Sequence, residues 1–220
     1  MSPRAVLLDF DGLICDTERA ARRSWEETWA DCGLRFPDDV WGRMQGRPGG
    51  EAIALDALER ALGKPVGADV RIRRRLRKQQ LGEREPLRPG VAGLLEAARL
   101  RGIALAVVSS GHADWVEGHL ARLGVRDRFA FVLSGDDVAR HKPAPDVYLA
   151  ALERLGVAAR DALALEDSAV GIRAAHAAGV RCVAVPSAAG DRALLTEADL
   201  VVASAGAHVL DAAPYETSSR

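Results

Sequence analysis

Two aspartates one residue apart, Asp9 and Asp11, follow the apolar run Ala5 to Leu8 and are followed at once by Gly12. The run reads as a buried strand, and the acidic pair with its glycine reads as the turn leaving the strand's C-terminal end. In an open α/β sheet that end is where ligands bind. Residues i and i+2 of a strand point to the same side, so the two carboxylates can lean toward one bound group. Crowded carboxylates repel, and a cation must usually share their site. Taken alone, Asp-x-Asp-Gly reads equally well as a polar turn.

Three later stretches bear on that choice. Ser109-Ser110-Gly111 ends a second apolar run and supplies hydroxyls and turn N–H groups suited to anionic oxygens, although it is also an ordinary helix N-cap. Lys142 lies in His141-Lys142-Pro143-Ala144-Pro145-Asp146, a loop stiffened by two prolines. Leu165-Glu166-Asp167-Ser168 ends another strand-like run and places two acids where a helix begins, a pattern that capping alone also explains. Together these residues offer carboxylates, one lysine, hydroxyls and N–H donors. Hard oxygen ligands with room for water and a phosphate suit Mg²⁺ better than zinc or copper. A calcium EF-hand is excluded, because Leu13 and Ala20 stand where acidic ligands belong.

The elements that must position these groups alternate. From Pro86 onward the pattern predicts a helix with the stripe Val91, Leu94, Leu95 and Ala98, then strands at 103–108, 131–133, 162–165, 181–185 and 200–202 with helices between them. This is the pattern of an α/β fold, a Rossmann-like doubly wound parallel sheet. Its first strand, Ala5 to Leu8, is separated from the rest by about seventy residues of helical pattern, so that block reads as an insertion. The expected division is a core of residues 1–15 and 86–220 and a small helical domain of 16–85.

Within the insertion, Asp16-Thr17-Glu18 signals a helix start, and Trp25 and Trp29 share a face expected to form the core of a small bundle. The breaker-rich stretch 42–50 matches no nucleotide-binding fingerprint, and the basic run 71–78 has the layout of a solvated helix. Residues 211–220 read as a frayed tail.

The chain has 220 residues, 48% hydrophobic and 28% charged, with a formal charge of -1, which gives no general bias toward nucleic acid or anionic membrane. Cys15, Cys32 and Cys182 are odd in number and far apart, against a disulfide framework or a structural zinc site. No apolar run approaches the ~18 residues of a membrane span, and a soluble cytoplasmic protein is the expectation.

Asp9-Phe10-Asp11-Gly12, Ser109, Lys142 and Glu166-Asp167 resemble, in order and context, the four motifs of the haloacid dehalogenase-like hydrolases. Within that superfamily the chain resembles the phosphatase and phosphomutase branch with a helical cap inserted after the first motif. The resemblance implies that Asp9 is a nucleophile forming an aspartyl-phosphate and that Asp11 is the general acid for the leaving oxygen, then the base for water. It also implies Mg²⁺ held by Asp9, the backbone carbonyl of Asp11 and Asp167, with Glu166 near or in the shell. Lys142 would offset charge repulsion, and Ser109 with Ser110 and Gly111 would hold phosphate oxygens. Asp11 argues against carbon–halogen cleavage, because the founding dehalogenases lack that second aspartate.

A closing cap would bring Arg43, Arg47 and their neighbours over the substrate. The β-phosphoglucomutases carry a histidine where this chain has Ala20-Ala21-Arg22, and an arginine near Gly49. Both departures favour hydrolysis of a small phosphate monoester, of a sugar, polyol or nucleotide, over a mutase reaction or binding without turnover. The expected partner is thus a small phosphorylated metabolite, and the expected assembly a monomer or weak homo-oligomer.

Overall fold

A computed structural model of the chain describes residues 2–44, 49–187 and 192–211. Its centre is β1 (Ala5–Leu8), four residues with no exposed surface. Four helices follow: α1 (Thr17–Asp31), α2 (Asp38–Met44), α3 (Gly50–Leu62) and α4 (Ala68–Gly82). The chain then alternates as α5 (Val91–Arg101), β2 (Ala104–Val108), α6 (Ala113–Arg122), β3 (Phe131–Leu133), α7 (Asp146–Leu155), β4 (Ala162–Glu166), α8 (Ala169–Ala177), β5 (Arg181–Ala184) and β6 (Leu200–Val201). The predicted strands and the helix stripe recur within a residue or two of their expected ends.

The sheet order is β3-β2-β1-β4-β5-β6, with every pairing parallel. Parallel strands need covered faces, and here they have them. Val6, Leu8 and Val107 face α5 and α6 in one apolar cluster, while Leu7, Ala106 and Ala164 face α7 and α8 in another. Burial of each such Leu or Val stabilises the fold by roughly 1.5–3 kcal/mol. The registers Leu8↔Val107 and Leu8↔Leu165 align the carboxyl ends of β1, β2 and β4, so the residues just beyond them share one rim. That rim lies where the strand order reverses, the position at which doubly wound sheets bind ligands.

The helices α1 to α4 carry an apolar cluster of their own, with Trp25, Trp29, Phe36, Trp41 and Leu58 at its heart. The expected tryptophan core is therefore present; Trp25 stacks on Phe36 with ring centroids 6.3 Å apart. The two chain crossings into this block lie side by side, Cys15 bridging Leu87 antiparallel and Arg19 paired with Glu85 at 2.5 Å.

The basic run lies on α4, but its facing differs from the expectation. Ile72 and Leu76 are exposed, and Arg74 is the side chain turned inward, with 5% of its surface exposed. The reason is packing: α4 lies along α1, and the Arg74 guanidinium sits over the Trp25 ring, 4.6 Å from its centroid. Flat aromatic surface and the Glu51 carboxylate at 2.5 Å compensate the buried charge.

Candidate active site

β1 ends where Asp9 donates its backbone N–H to Leu165 of β4 at 3.0 Å, the last bond of the ladder. The chain then turns so that Ile14 and Cys15 donate to the Phe10 carbonyl, with Gly12 at φ +83°. A side chain at Gly12 would meet more than strain, because a Cβ there would lie 2.0 Å from Asp167 Oδ2. Arg88 clamps this turn from the far side of the insertion, donating to the Gly12 and Pro186 carbonyls.

Lys142 is the hub of the buried charges. Its Nζ donates to Asp9 Oδ1 at 2.7 Å, Glu166 Oε1 at 2.6 Å and the Val108 carbonyl at 2.9 Å. All three donor hydrogens are thereby used. Glu166 is fully buried and also accepts from Tyr148 Oη at 2.7 Å and from Ser168 Oγ at 3.4 Å. Gly171 makes room for it, since a Cβ there would lie 2.0 Å from the carboxylate.

Burial opposes the charge on Lys142, but Asp9 and Glu166 outweigh it and hold the ammonium above its ordinary range. Burial is also the main reason the Asp9 and Asp167 carboxyls are raised well above theirs; Lys142 counters it at Asp9, and Arg88 weakly at Asp167. Such elevation marks a cluster short of positive charge.

Asp9, Glu166 and Asp167 each place a carboxylate oxygen within 4.8 Å of the others, and Asp167 Oδ2 is buried without a hydrogen-bond partner among the described residues. Hard oxygens, excess acidity and an orphaned carboxylate oxygen fit Mg²⁺. The Asp11 carboxylate is not part of this cluster. Its Oδ1 accepts from Thr17 Oγ1 at 2.6 Å and from Trp115 Nε1 at 2.9 Å, so any share Asp11 has in holding a metal falls to its backbone carbonyl. Glu166 spends its Oε1 on Lys142 and Tyr148, which makes it the anchor of the lysine.

On the β2 side, Ser109 Oγ accepts the Gly111 N–H at 3.0 Å, which leaves the hydroxyl hydrogen for another acceptor. Gly111 in turn accepts from Gly135 N–H at 2.9 Å, so the loop is held on both flanks. Ser109, Ser110 and Gly111 line one cavity of about 580 Å³ together with Asp9, Asp11, Lys142 and Asp167. The motif residues thus converge as the sequence pattern predicts. His112 also lines it, but is exposed at the start of α6 and bonds Asp136 at 3.0 Å.

The opposite wall comes from the insertion, through Glu18, Ala21, Trp25, Trp41, Arg74 and Lys78 among others. Arg43, expected there, instead bonds the Asp39 backbone carbonyl and carboxylate on the exposed side of α2, because those acceptors lie one helical turn back. Arg47 lies outside the described residues. In their place stands Arg74, whose Nη1 is buried and, like Trp25 Nε1, lacks a partner among the described residues. Glu18 adds a carboxyl pushed up to about 7, chiefly by desolvation and then by Asp11, with Lys78 opposing. Sequence reasoning missed Tyr148, Arg88, Trp115 and Glu18 as site residues; only Glu18, beside the first motif, had a nearby signal.

Residues 6–185 match the family described as Haloacid dehalogenase-like hydrolase. YhcW of Bacillus subtilis (strain 168) is 38% identical over 185 residues, 84% of each chain. The fructose-1-phosphate phosphatase YqaB of Escherichia coli (strain K12) is 32% identical over 181 residues, 82% of this chain and 95% of its own. A crystal structure of a mutant CbbY from Rhodobacter sphaeroides in complex with xylulose-(1,5)-bisphosphate superposes with a TM-score of 0.73 and 33% identity, covering 92% of this chain and 94% of that one.

The chain belongs to the haloacid dehalogenase-like hydrolases, in their phosphatase and β-phosphoglucomutase-like branch. It is a hydrolase acting on phosphate esters.

Proposed function

We propose that the protein is a Mg²⁺-dependent phosphomonoesterase of a small phosphorylated metabolite, working through an aspartyl-phosphate on Asp9. The observation that carries this reading is Lys142 bridging Asp9 and Glu166 beside the orphaned Asp167 oxygen, at the floor of a cavity rimmed by Ser109, Ser110 and Gly111.

The Asp9 oxygen attacks phosphorus as the ester P–O bond breaks. The bond's electron pair stays on the leaving oxygen, which takes a proton from Asp11. Water then attacks the acyl phosphate and gives a proton to Asp11; the P–O bond to Asp9 breaks, restoring both carboxyls and releasing inorganic phosphate. Asp9 and Asp167, with the Asp11 carbonyl, would hold Mg²⁺, which supplies charge neutralisation between a carboxylate nucleophile and a phosphate dianion. Lys142 fixes Asp9 Oδ1 and reduces the same repulsion, while the Ser109 hydroxyl and the loop N–H groups orient the phosphate oxygens.

Hydrolysis is favoured over a mutase reaction by the cavity wall itself. Ala21 and Gly49, in the region where the mutases carry a histidine and an arginine, both line the cavity and offer no side chain to move a proton or hold a second phosphate. Closure of the helical insertion as a cap, with Arg74 and Trp25 facing the substrate, would exclude water from the first step.

The test is phosphate release across sugar, polyol and nucleotide monophosphates and sugar bisphosphates, with Mg²⁺ or with EDTA. Magnesium-dependent release that Asp9→Asn lowers on the order of 10⁴-fold is the expected result. Turnover that survives Asp9→Asn, or isomerised sugar phosphate without net release, would overturn it.

A further inference from the structure

On that reading of Asp11 as the general acid, we propose that Trp115 is its positioning residue, and that the same indole couples Asp11 to the seat of the helical insertion. Asp11 Oδ1 accepts two hydrogen bonds, from Thr17 Oγ1 at 2.6 Å and Trp115 Nε1 at 2.9 Å. With both lone-pair directions of Oδ1 occupied, the proton of the acid belongs on Oδ2. Oδ2 is also the oxygen nearest the phosphate loop, since a Cβ built on Gly111 would lie 3.1 Å from it.

The two donors are not equivalent. A threonine hydroxyl can donate or accept, and so can turn to suit either oxygen. An indole N–H can only donate. Trp115 therefore keeps Oδ1 an acceptor whether Asp11 is charged or neutral, and it aims Oδ2 at the leaving oxygen. As the ester bond breaks, Oδ2–H gives its proton to that oxygen and becomes the charged end, while Oδ1 keeps its two hydrogen bonds.

The other edge of the ring meets the insertion. Lys78 of α4 places Nζ 5.1 Å from the Trp115 centroid, and a Cβ on Gly82, at the end of α4, would lie 3.1 Å from Trp115 Cη2. His119 stands edge-on to the ring at 4.2 Å, and Arg122 donates to the Gly82 and Glu85 carbonyls at 3.3 and 2.8 Å. Trp115, His119 and Arg122 are spaced four and three apart, forming one face of α6 on which the end of α4 rests. A shift of α4 thus moves the ring that holds Asp11.

Trp115→Phe keeps an aromatic ring at this position and removes the N–H, together with the outer part of the indole that reaches Gly82. The expected result is a kcat for alkyl phosphates about tenfold lower or more, with KM little changed. Release of p-nitrophenolate in the first turnover of p-nitrophenyl phosphate needs no proton from Asp11, should change far less, and shows in the same preparation that the variant is folded. An equal loss in that first turnover, or no loss on alkyl phosphates, would overturn the positioning role. In the unmodified ring, the Trp115 indole N–H resonance should move in Asp11→Asn, and an unmoved resonance would overturn the contact. Wild-type protein that releases phosphate from no alkyl ester would overturn the hydrolase reading first, before any variant is compared.

Discussion

The two walls of the cavity are built on opposite principles. At the sheet rim the buried charges are bonded to one another, with Asp167 Oδ2 left open: Lys142 spends its three hydrogens on Asp9, Glu166 and Val108, and Tyr148 holds Glu166 from behind. On the wall supplied by α1 and α4, Arg74 Nη1 and Trp25 Nε1 are buried without partners among the described residues. Buried donors left open are costly unless something arrives to accept from them. The contrast separates a preassembled reaction floor from a recognition wall that a bound molecule completes, and it says that the floor governs turnover while the wall governs which substrate is turned over.

The comparison breaks most readily at the floor. Lys142→Met should lower kcat on all substrates by roughly 10²- to 10³-fold. It should also destabilise the fold by about 3 kcal/mol, because it strands Asp9 and Glu166 without their shared cation. Steady-state kinetics and urea melts read both effects. An active, fully stable variant would show that the floor is not organised by its lysine.

A smaller effect follows from the raised carboxyls. Asp9, Asp167 and Glu18 are all elevated by burial, so the folded metal-free protein keeps protons that the unfolded chain has released. For Glu18 that contribution is complete below its ordinary value near 4.5 and is lost as pH rises through about 7. The thermal midpoint in EDTA should therefore be lower at pH 8 than at pH 5.5. Mg²⁺ should raise it more at the higher pH, since it binds the ionised carboxylates. A midpoint indifferent to both pH and Mg²⁺ would remove the metal from the floor.

The wall should give the mildest and most selective change. Arg74→Lys keeps the charge but loses the planar fork, and is expected to raise KM about tenfold for the preferred substrate, with p-nitrophenyl phosphate hardly affected. Arg43→Ala, on the exposed side of α2, should alter neither. Parallel losses on every substrate in Arg74→Lys would erase the distinction between wall and floor.

Much of this was legible in the residue order. Apolar runs of four to six residues closed by Asp9, Ser109 and Glu166 announce parallel strands whose carboxyl ends collect polar groups, and the three runs do end within one residue of a common register. The wall was less legible. Arg74 sits in a run of cations that resembles any solvated helix, and Arg43 and Arg47, beside the glycines of a loop, looked better placed for recognition.

The chain's order alone marked the strands of the sheet and the polar residues that close them, because strand ends are local events marked by where hydrophobicity stops. Only the tertiary structure decided which helix face looks into the cavity and which distant side chain completes each motif. Trp115 meets Asp11 across 104 residues, and Tyr148 meets Glu166 only because α7 packs on the sheet against β1 and β2. Such pairings depend on how helices settle against one another, and a helix face carries no mark in sequence of the surface it will meet.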